Sequence, residues 1–384
     1  MKWFSLGMNV LAIVATASVV QADITIGVSL SETGPASSLG IAEKNAVTLG
    51  PKVIAGQKVR YVFYNDATDA STAVQNVKRL ISEDKIDILI GGTTVSNTMA
   101  VVDTVAGAKT PMISCSPGPA VISSTDEKRK WVFNSPANEG IYMARLTNHM
   151  ASKGVKSVSV IAVDDAYGEN YTAALKKLVD SKGIKILAIE KYKRTDASAT
   201  AQVLHAMQAN PDAVLIISTG TPAALPHVAL IERGYKGKIY QSGGGANADF
   251  LRIGGKALEG SYMPAPPVLV AEQLPKDYPT KKEAMEFVKA YEPKFGPRSM
   301  FASHSWDALK IIQAAVPKAM KGGKPGTEQF RSALRDAIEN SKGVKGAGIL
   351  FTLSPTDHSG VNMGGILLMK IENGKWKLED HAAL

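Results

Sequence analysis

Cysteine is almost absent from the 384-residue sequence, which contains only Cys115. A single thiol excludes an internal disulfide and a thiolate metal site, and no two of the six His lie four residues apart on one stretch. We therefore predict no bound metal and no cofactor. Aromatic residues are also scarce, at 6%, and no aromatic stripe alternates with Arg, which argues against a nucleic-acid interface.

Long hydrophobic runs are missing after the first 22 residues. The run from Leu6 to Val20 follows Lys2 and precedes Gln21-Ala22, a pattern typical of a secretory signal peptide (1–22) cleaved after Ala22. The run is shorter than the roughly 20 residues that a membrane span needs, so we favour cleavage over a retained N-terminal anchor. The mature chain would then work outside the cytoplasm.

The charge balance is positive, with 44 Lys and Arg against 35 Asp and Glu. Such a surplus can indicate an anionic polymer or a lipid surface as a partner. Here, however, Lys residues are spread along expected helices, and the densest cluster is the short segment Lys128-Arg129-Lys130. We therefore expect a solvated basic surface and no nucleic-acid partner.

Short Val- and Ile-rich runs alternate with longer segments of helical period through most of the chain. This alternation predicts an α/β protein with two Rossmann-like lobes and mostly parallel sheets, and the length also favours about two domains. The predicted strands are 24–30, 59–65, 86–91 and 111–114 in the first half and 157–163, 184–192, 213–218 and 238–241 in the second.

The last third of the chain has a different pattern and no neat strand series of its own. We therefore expect its helices to pack on the sheets formed by the preceding strands. It contains the Pro-rich segment 264–267, helices near 281–292, 303–320 and 327–340, and a closing β-hairpin of 365–372 and 376–379 that turns at Asn373-Gly374.

Small and hydroxyl-bearing residues follow three predicted strands of the first half, in segments 31–40, 91–97 and 115–119. In an open α/β sheet, ligands bind beyond the carboxyl ends of the strands, where helix N-termini offer free N–H groups. Each segment alone is best explained as a turn or a helix cap. Three of them at one edge favour a site for an anion such as a carboxylate.

Similar segments follow strands of the second half, at 164–168, 219–222 and 242–247. Tyr167 lies in the first of them. It either closes over a bound ligand or packs at the start of a helix, and the sequence leaves both interpretations open.

Signatures of catalysis are weak. The segment 243–248 fits G-x-G-x-x-A, but no long helix follows it and no acidic residue ends a strand about 20 residues further on. Asp164 and Asp165 are adjacent on a strand end and point to opposite faces, so they cannot flank one substrate bond. We expect His304 on a helix surface or in its N-terminal turn. The chain is therefore predicted not to be an enzyme.

Motifs of one family occur in order along nearly the whole mature chain. They are Ile26-Gly27-Val28, Thr33-Gly34-Pro35 with Gly40, Asn65-Asp66-Ala67, Leu89-Ile90-Gly91-Gly92, Asp165-Ala166-Tyr167-Gly168 and Ala246-Asn247. With them the chain resembles the periplasmic solute-binding proteins of ABC importers, in the branched-chain amino acid (leucine-binding) class. The segments 128–133, 220–226, 254–260, 305–308 and 357–360 are similar to the branch associated with aromatic carboxylates.

This resemblance implies a type I periplasmic binding protein whose two lobes are joined by three hinge crossings, near residues 136, 263 and 346. Lobe I would comprise 23–136 and 264–346, and lobe II would comprise 137–263 and 347–384. The resemblance also implies the ligand-binding positions. These are Thr94, Val95, Ser96, Ser116, Pro117 and Gly118 for a carboxylate, Leu39 for the apolar side, Asn138 beside the hinge, Tyr167 and Gly220 for two lid aromatics, and Gly243 for the acid that pairs with an ammonium group.

Two of these positions depart from the family pattern, because Gly220 is not aromatic and Gly243 is not acidic. Deleting one member of a buried ion pair costs about 3–5 kcal/mol, so an α-amino acid should bind poorly unless Asp165 or Glu139 replaces the acid. The two glycines also leave room for a wider ligand. We therefore predict a small carboxylate ligand with an aromatic body and no ammonium group.

The resemblance further implies a function in transport from the periplasm. The lobes of a monomer would close over the ligand, and the closed form would deliver it to an ABC permease in the inner membrane. Three alternatives stay open: a binder of branched-chain or other amino acids for an importer, a secreted α/β enzyme, and a ligand-sensing module that reports to a receptor.

Overall fold

Two large sheets form the frame of the protein in the computed structural model, which describes residues 23–118 and 127–380. The predicted signal peptide (1–22) and Pro119 lie outside the described residues. The elements of the N-terminal part are β1 (Ile24–Leu30), α1 (Ser37–Val47), β2 (Val53–Ile54), β3 (Gln57–Asn65), α2 (Ala70–Ser82), β4 (Ile88–Gly91), α3 (Val95–Gly107), β5 (Met112–Ser114) and β6 (Val132–Asn134).

The first sheet has the strand order β2-β3-β1-β4-β5-β6. The neighbours from β3 to β6 pair in parallel, while β2 runs antiparallel to β3 at the edge. Every residue of β1 is buried, as expected for a central parallel strand covered by helices on both faces. The carboxyl ends of the parallel strands therefore meet at one edge of this sheet.

The second sheet is built from the middle of the chain. Its elements begin with α4 (Glu139–Ser152) and continue through β7 (Ser157–Val163), α5 (Ala166–Val179), β8 (Lys185–Tyr192), α6 (Thr200–Gln208), β9 (Ala213–Ile217), α7 (Ala224–Glu232), β10 (Lys238–Gln241), α8 (Ala248–Gly254) and β11 (Tyr262–Ala265).

The last part of the chain adds helices and antiparallel strands. These are α9 (Lys281–Phe295), α10 (Met300–Ala319), α11 (Glu328–Glu339), β12 (Lys342–Lys345), β13 (Leu350–Thr352), β14 (Leu367–Glu372) and β15 (Lys375–Asp380).

The second sheet has the order β15-β14-β11-β10-β9-β7-β8, in which β7 to β11 are parallel and β14 and β15 are antiparallel additions. α10 packs against α1 and α11, so the late helices extend the layer that covers the first sheet. Among the described residues, no helix is both long and apolar enough to cross a membrane.

The α/β class and the mainly parallel sheets predicted from the sequence are confirmed, and each of the eight predicted strands is present. The closing hairpin is present as β14 and β15. Its turn residues Asn373 and Gly374 have φ of 53° and 68°, the left-handed values that a two-residue type I′ turn requires.

Some strands were not predicted, namely β2, β6, β11 and the hairpin β12–β13. β11 contains Pro264, which reads as a loop because proline cannot donate to a ladder. β10 reaches β11 only at Tyr240–Tyr262, so Pro264 lies beyond the pairing with β10 and is paired only with Leu368 of β14. β11 ends at Ala265, two residues past the crossing expected near 263. The division of the chain into lobes stays a prediction.

The start of α5 lies very close to the end of β7. A Cβ at Gly168 would stand 1.9 Å from the Val163 carbonyl oxygen, so only glycine fits there. Gly107, at the end of α3, has no such neighbour within 4 Å.

We expect Gly168→Ala to lower the free energy of unfolding by about 1–3 kcal/mol, because strand and helix must separate to admit the methyl group. Gly107→Ala is the matched control and should be neutral or stabilising by up to about 1 kcal/mol. Urea unfolding of both variants measures the difference. Equal stability of the two would show that α5 and β7 do not approach this closely.

Candidate functional site

A cavity lies between the carboxyl ends of the two sheets. It encloses about 390 Å³ of space free of atoms, including its opening to solvent. The lining residues are Leu39, Thr93, Thr94, Val95, Cys115, Ser116 and Pro117 beside the first sheet, Tyr167, Tyr171, Arg194, Thr219 and Gly244 beside the second, and Tyr142, Met300, Phe301 and His304 from α4 and α10.

The N-terminus of α3 forms one wall of the cavity. Thr94 caps this helix, and its hydroxyl accepts a hydrogen bond from the Asn97 N–H at 3.2 Å. A hydroxyl that accepts one bond can still donate its proton to another partner. The first N–H groups of any helix lack partners within the helix and lie at its positive end. This wall can therefore bind an anion.

Ser116 lies beside this helix end, in a buried cluster of hydroxyl groups. Its Oγ is 2.8 Å from the Thr98 hydroxyl, and its N–H donates to the Ser114 hydroxyl at 3.1 Å. Burial of all three side chains fixes the position of Ser116 at the cavity wall.

Glu43 lies behind the wall and contacts Thr93. The Thr93 hydroxyl accepts from the Ser31 N–H at 3.0 Å and donates to Glu43 Oε2 at 2.5 Å. Burial, with a smaller contribution from the charge of Asp66, raises the pKa of Glu43 to about 8. Glu43 is therefore mainly protonated at neutral pH and adds no full negative charge behind the anion-binding wall.

Arg194 supplies a positive charge on the opposite wall, in the segment that follows β8. Its Nε donates to Asp165 Oδ2 at 2.6 Å, and one of its Nη atoms donates to the Thr219 hydroxyl. Asp165 also caps α5 by accepting the N–H groups of Tyr167 and Gly168. A guanidinium has five N–H donors, so Arg194 can hold these partners and still donate to a ligand.

Aromatic rings form a third side of the cavity. Tyr167 and Tyr171 stack with ring centroids 4.2 Å apart, and Tyr142 lies 6.0 Å from Tyr171. Burial raises the pKa of all three phenols, so they are neutral at physiological pH. Phe301 completes this apolar surface from α10.

His304 borders the same cavity, so the expected position on a helix surface is wrong. It lies in α10, 1% exposed, and its Nδ1 is 3.2 Å from the Cys115 carbonyl oxygen. The helical periodicity of the sequence did not predict this buried position, because both faces of α10 are largely buried.

Six predicted site residues border the cavity: Leu39, Thr94, Val95, Ser116, Pro117 and Tyr167. The side chain of Ser96 is exposed and could contribute only its N–H group. Gly118 is buried next to Pro117, and Asn138 caps α4 by accepting the Ile141 N–H at 3.2 Å. These last three do not line the cavity, and their contact with a ligand stays a prediction.

The two departures from the family pattern have a structural explanation. A Cβ at Gly220 would stand 2.7 Å from Leu39 Cδ1, and one at Gly243 would stand 2.8 Å from the Pro264 carbonyl oxygen and 3.0 Å from the Tyr142 ring. At Gly220 the neighbour is the end of a flexible side chain, which can move, whereas at Gly243 the nearest neighbour is backbone and the Tyr142 ring is also in tight contact. Both residues have positive φ, 65° and 109°, which further favours glycine.

The two carboxylates considered as replacements for that acid are placed elsewhere. Asp165 pairs with Arg194. Glu139 is buried, its pKa is raised to about 7 by burial, and it is not among the lining residues.

Arg194 is the main functional candidate that the sequence analysis missed. It lies just past β8, so the search at strand ends that found the other segments would have found it at 193–194. No sequence pattern predicted that Met300, Phe301 and His304 line the cavity. They do not follow a strand, and α10 reaches the cavity from a distant part of the chain.

A family model described as a periplasmic binding protein matches residues 23–375. The chain belongs to the periplasmic binding proteins. This membership confirms the resemblance found in the sequence, and it implies a periplasmic location. The signal peptide itself lies outside the described residues and stays a prediction.

Relatives and solved structures agree with this family. Leu/Ile/Val-binding protein homolog 3 of Brucella melitensis is 23% identical over 373 residues, or 95% of each chain. An extracellular ligand-binding receptor from Rhodopseudomonas palustris HaA2 is 38% identical, with a TM-score of 0.90 over 94% of this chain and 100% of that one. A solute-binding protein of an ABC transporter from R. palustris, solved with benzoate, shares the fold at 20% identity, with a TM-score of 0.79 over 93% and 95% of the two chains.

These findings give the function at a coarse level. The periplasmic binding protein is of the branched-chain amino acid type, binds a small molecule for an ABC transport system and is not an enzyme. The fold does not identify the ligand, so the ligand must be inferred from the residues that line the cavity.

Glu43 gives this site a pH dependence that can be measured. Its folded pKa of about 8 lies above the ordinary 4.5, so the folded state keeps a proton that the unfolded chain releases. The resulting stability is complete below the ordinary pKa and is lost as the pH rises towards 8, by at most about 1.4 kcal/mol per pH unit.

We expect Glu43→Gln to flatten this decline between about pH 5 and pH 8, since glutamine does not titrate. Urea unfolding at several pH values measures it. Glu83→Gln, which changes an exposed glutamate, should run parallel to the wild-type curve. If the Glu43→Gln curve runs parallel as well, Glu43 is not protonated in the folded state.

Proposed function

We propose that this periplasmic binding protein captures a small aromatic carboxylate that lacks an ammonium group and delivers it to an ABC permease. One observation carries the proposal: the cavity joins anion-binding groups to an aromatic wall, and no Asp or Glu is among the described lining residues. A carboxylate and a neutral ring match these two surfaces.

The carboxylate would lie between the start of α3 and Arg194, which belong to opposite walls. A group bound by both walls favours the closed arrangement over the open one, because only the closed form makes both sets of contacts. Charge-assisted hydrogen bonds from a guanidinium are stronger than neutral ones. Ligand charge and lobe closure would then be linked through Arg194.

The body of the ligand would pack on the aromatic rings of Tyr142, Tyr167, Tyr171 and Phe301. Rings prefer offset or edge-on partners, and each such contact adds about 0.5–1.5 kcal/mol beyond buried area. Leu39, which lies close to Gly220, adds a further apolar surface. These contacts need no charge on the ligand beyond its carboxylate.

An amino acid is the second candidate, because the relative from B. melitensis is named for Leu, Ile and Val. An ammonium group could also be attracted to tyrosine rings. It would nevertheless lack a carboxylate partner, since position 243 is glycine and Asp165 is paired. A ligand-sensing function would use the same cavity and the same closure.

We expect 3-phenylpropionate, cinnamate or benzoate to raise the melting temperature in a thermal-shift panel, because a ligand that binds only the folded state stabilises it. Phenylalanine is the matched control, since it differs from 3-phenylpropionate only by its ammonium group. Leucine and valine complete the panel. Stabilisation by these amino acids without stabilisation by the aromatic acids would refute the proposal.

We expect Arg194→Gln to weaken binding of the best aromatic acid about tenfold to a hundredfold, because a hydrogen bond to a charged group contributes about 1.5–3 kcal/mol. Lys191→Gln is the matched control. Lys191 lies near the end of β8, three residues before Arg194, is half-exposed and pairs with Asp164 at 3.0 Å, so its loss removes the same charge outside the cavity.

Isothermal titration of both variants distinguishes a direct contact between Arg194 and the ligand from a general effect of positive charge. Equal weakening by the two substitutions would show that Arg194 acts only through net charge and does not touch the ligand. The melting temperature of each unliganded variant checks that the substitution leaves the fold stable.

A further inference from the structure

We propose that the ligand carries a hydroxyl group on its aromatic body, and that Nε2 of His304 accepts the hydrogen bond from this hydroxyl. The inference rests on the proposed function and narrows the ligand from an aromatic acid to a hydroxylated one.

The tautomer of His304 follows from its partner. A backbone carbonyl oxygen only accepts hydrogen bonds, so the 3.2 Å contact with the Cys115 carbonyl places a proton on Nδ1. In the neutral ring, Nε2 then carries a lone pair and acts as an acceptor.

Nε2 of His304 has no hydrogen-bond partner among the described residues, although the side chain is 1% exposed. Leaving a buried polar atom unpaired costs about 1–3 kcal/mol, and such atoms in native proteins usually have a partner. Since the ring borders the ligand cavity, a donor on the ligand would supply that partner.

The ring stays neutral, so Nε2 cannot serve as a donor to a carboxylate. Burial lowers the pKa of His304 to about 3. The titratable groups near it are also buried: the pKa of Cys115 and that of Asp307 are both raised well above their ordinary values. A carboxylate offers only lone pairs, so it would be repelled here and must bind at the other walls.

A hydroxyl fits this acceptor better than an ammonium group does. One neutral acceptor satisfies the single proton of a hydroxyl, whereas an ammonium group brings three protons and a charge that burial penalises. Phe301, whose ring is edge-on to that of His304 with the two centroids 6.0 Å apart, adds an apolar surface and no further acceptor.

Two tyrosine hydroxyls of the wall already have partners. Tyr142 donates to Met300 Sδ at 3.6 Å, and the Tyr167 hydroxyl is 3.0 Å from the Ser242 hydroxyl. His304 therefore stands out among the described lining side chains as an unused acceptor on the aromatic side of the cavity.

Ligand pairs that differ by one group test this inference. Isothermal titration would compare 3-phenylpropionate with its 2-, 3- and 4-hydroxyphenyl isomers and with the corresponding methoxy ethers. We expect at least one hydroxy isomer to bind about tenfold more tightly than the parent acid, because the buried acceptor is left unpaired by the parent. Its methoxy ether, which has no proton to donate, should gain nothing.

Variants of His304 test the acceptor itself. His304→Leu should remove the preference for the hydroxy isomer, and His304→Gln, whose amide oxygen can accept, should restore part of it. Phe301→Leu is the control, because it removes an apolar contact one turn earlier on α10 and should weaken both acids alike. Should the His304 variants fail to fold, the ¹⁵N shift of Nε2 in the wild-type protein should move with the hydroxy acid and stay with the parent.

The outcomes separate this inference from the proposed function. If no aromatic acid binds, the proposed function fails and this inference fails with it. If the acids bind but the hydroxyl gives no advantage, or if His304→Leu keeps the full advantage, the inference about His304 is overturned and the proposed function stands.

Discussion

The carboxyl ends of two parallel sheets face one another, and the site depends on this constraint. Parallel strands leave the sheet at one edge, so the turns that follow them and the N-termini of the next helices gather there. Thr94 and Ser116 reach the cavity from one sheet, and Arg194 and Thr219 reach it from the other. Residues that are far apart in sequence become neighbours because the strands between them are parallel.

Few side chains around the cavity carry a full charge. Arg194 is held by Asp165, whose other contacts cap α5, so the pair is fixed by backbone as well as by attraction. Glu43 is buried behind Thr93, and its raised pKa keeps it mainly neutral. Because Glu43 is mainly neutral and the N-terminus of α3 borders the cavity, these groups favour a single negative charge on a ligand.

The fold was predictable because hydrophobic runs of strand length alternate with helical segments, and a buried strand such as β9 consists almost entirely of Val, Ile and Leu. The positions of Thr94 and Ser116 beside the cavity were predictable for the same reason, since the turns and helix caps follow the strands. His304 was not predictable, because an apolar neighbourhood on all sides of α10 is set by packing against distant segments. Periodicity shows that a face is buried but not what it faces.

The contact between Gly243 and Tyr142 links the fold to the ligand. A Cβ at this position would stand 2.8 Å from the Pro264 carbonyl oxygen and 3.0 Å from the Tyr142 ring, so a side chain could enter only if both gave way. An acid at position 243 is therefore incompatible with the present packing of the backbone and the ring. Under the proposed function, this packing disfavours an ammonium group on the ligand in two ways, because a carboxylate partner is absent at this position and the Tyr142 ring lies beside it. The proposed choice of a ring-bearing acid over an amino acid depends on this contact.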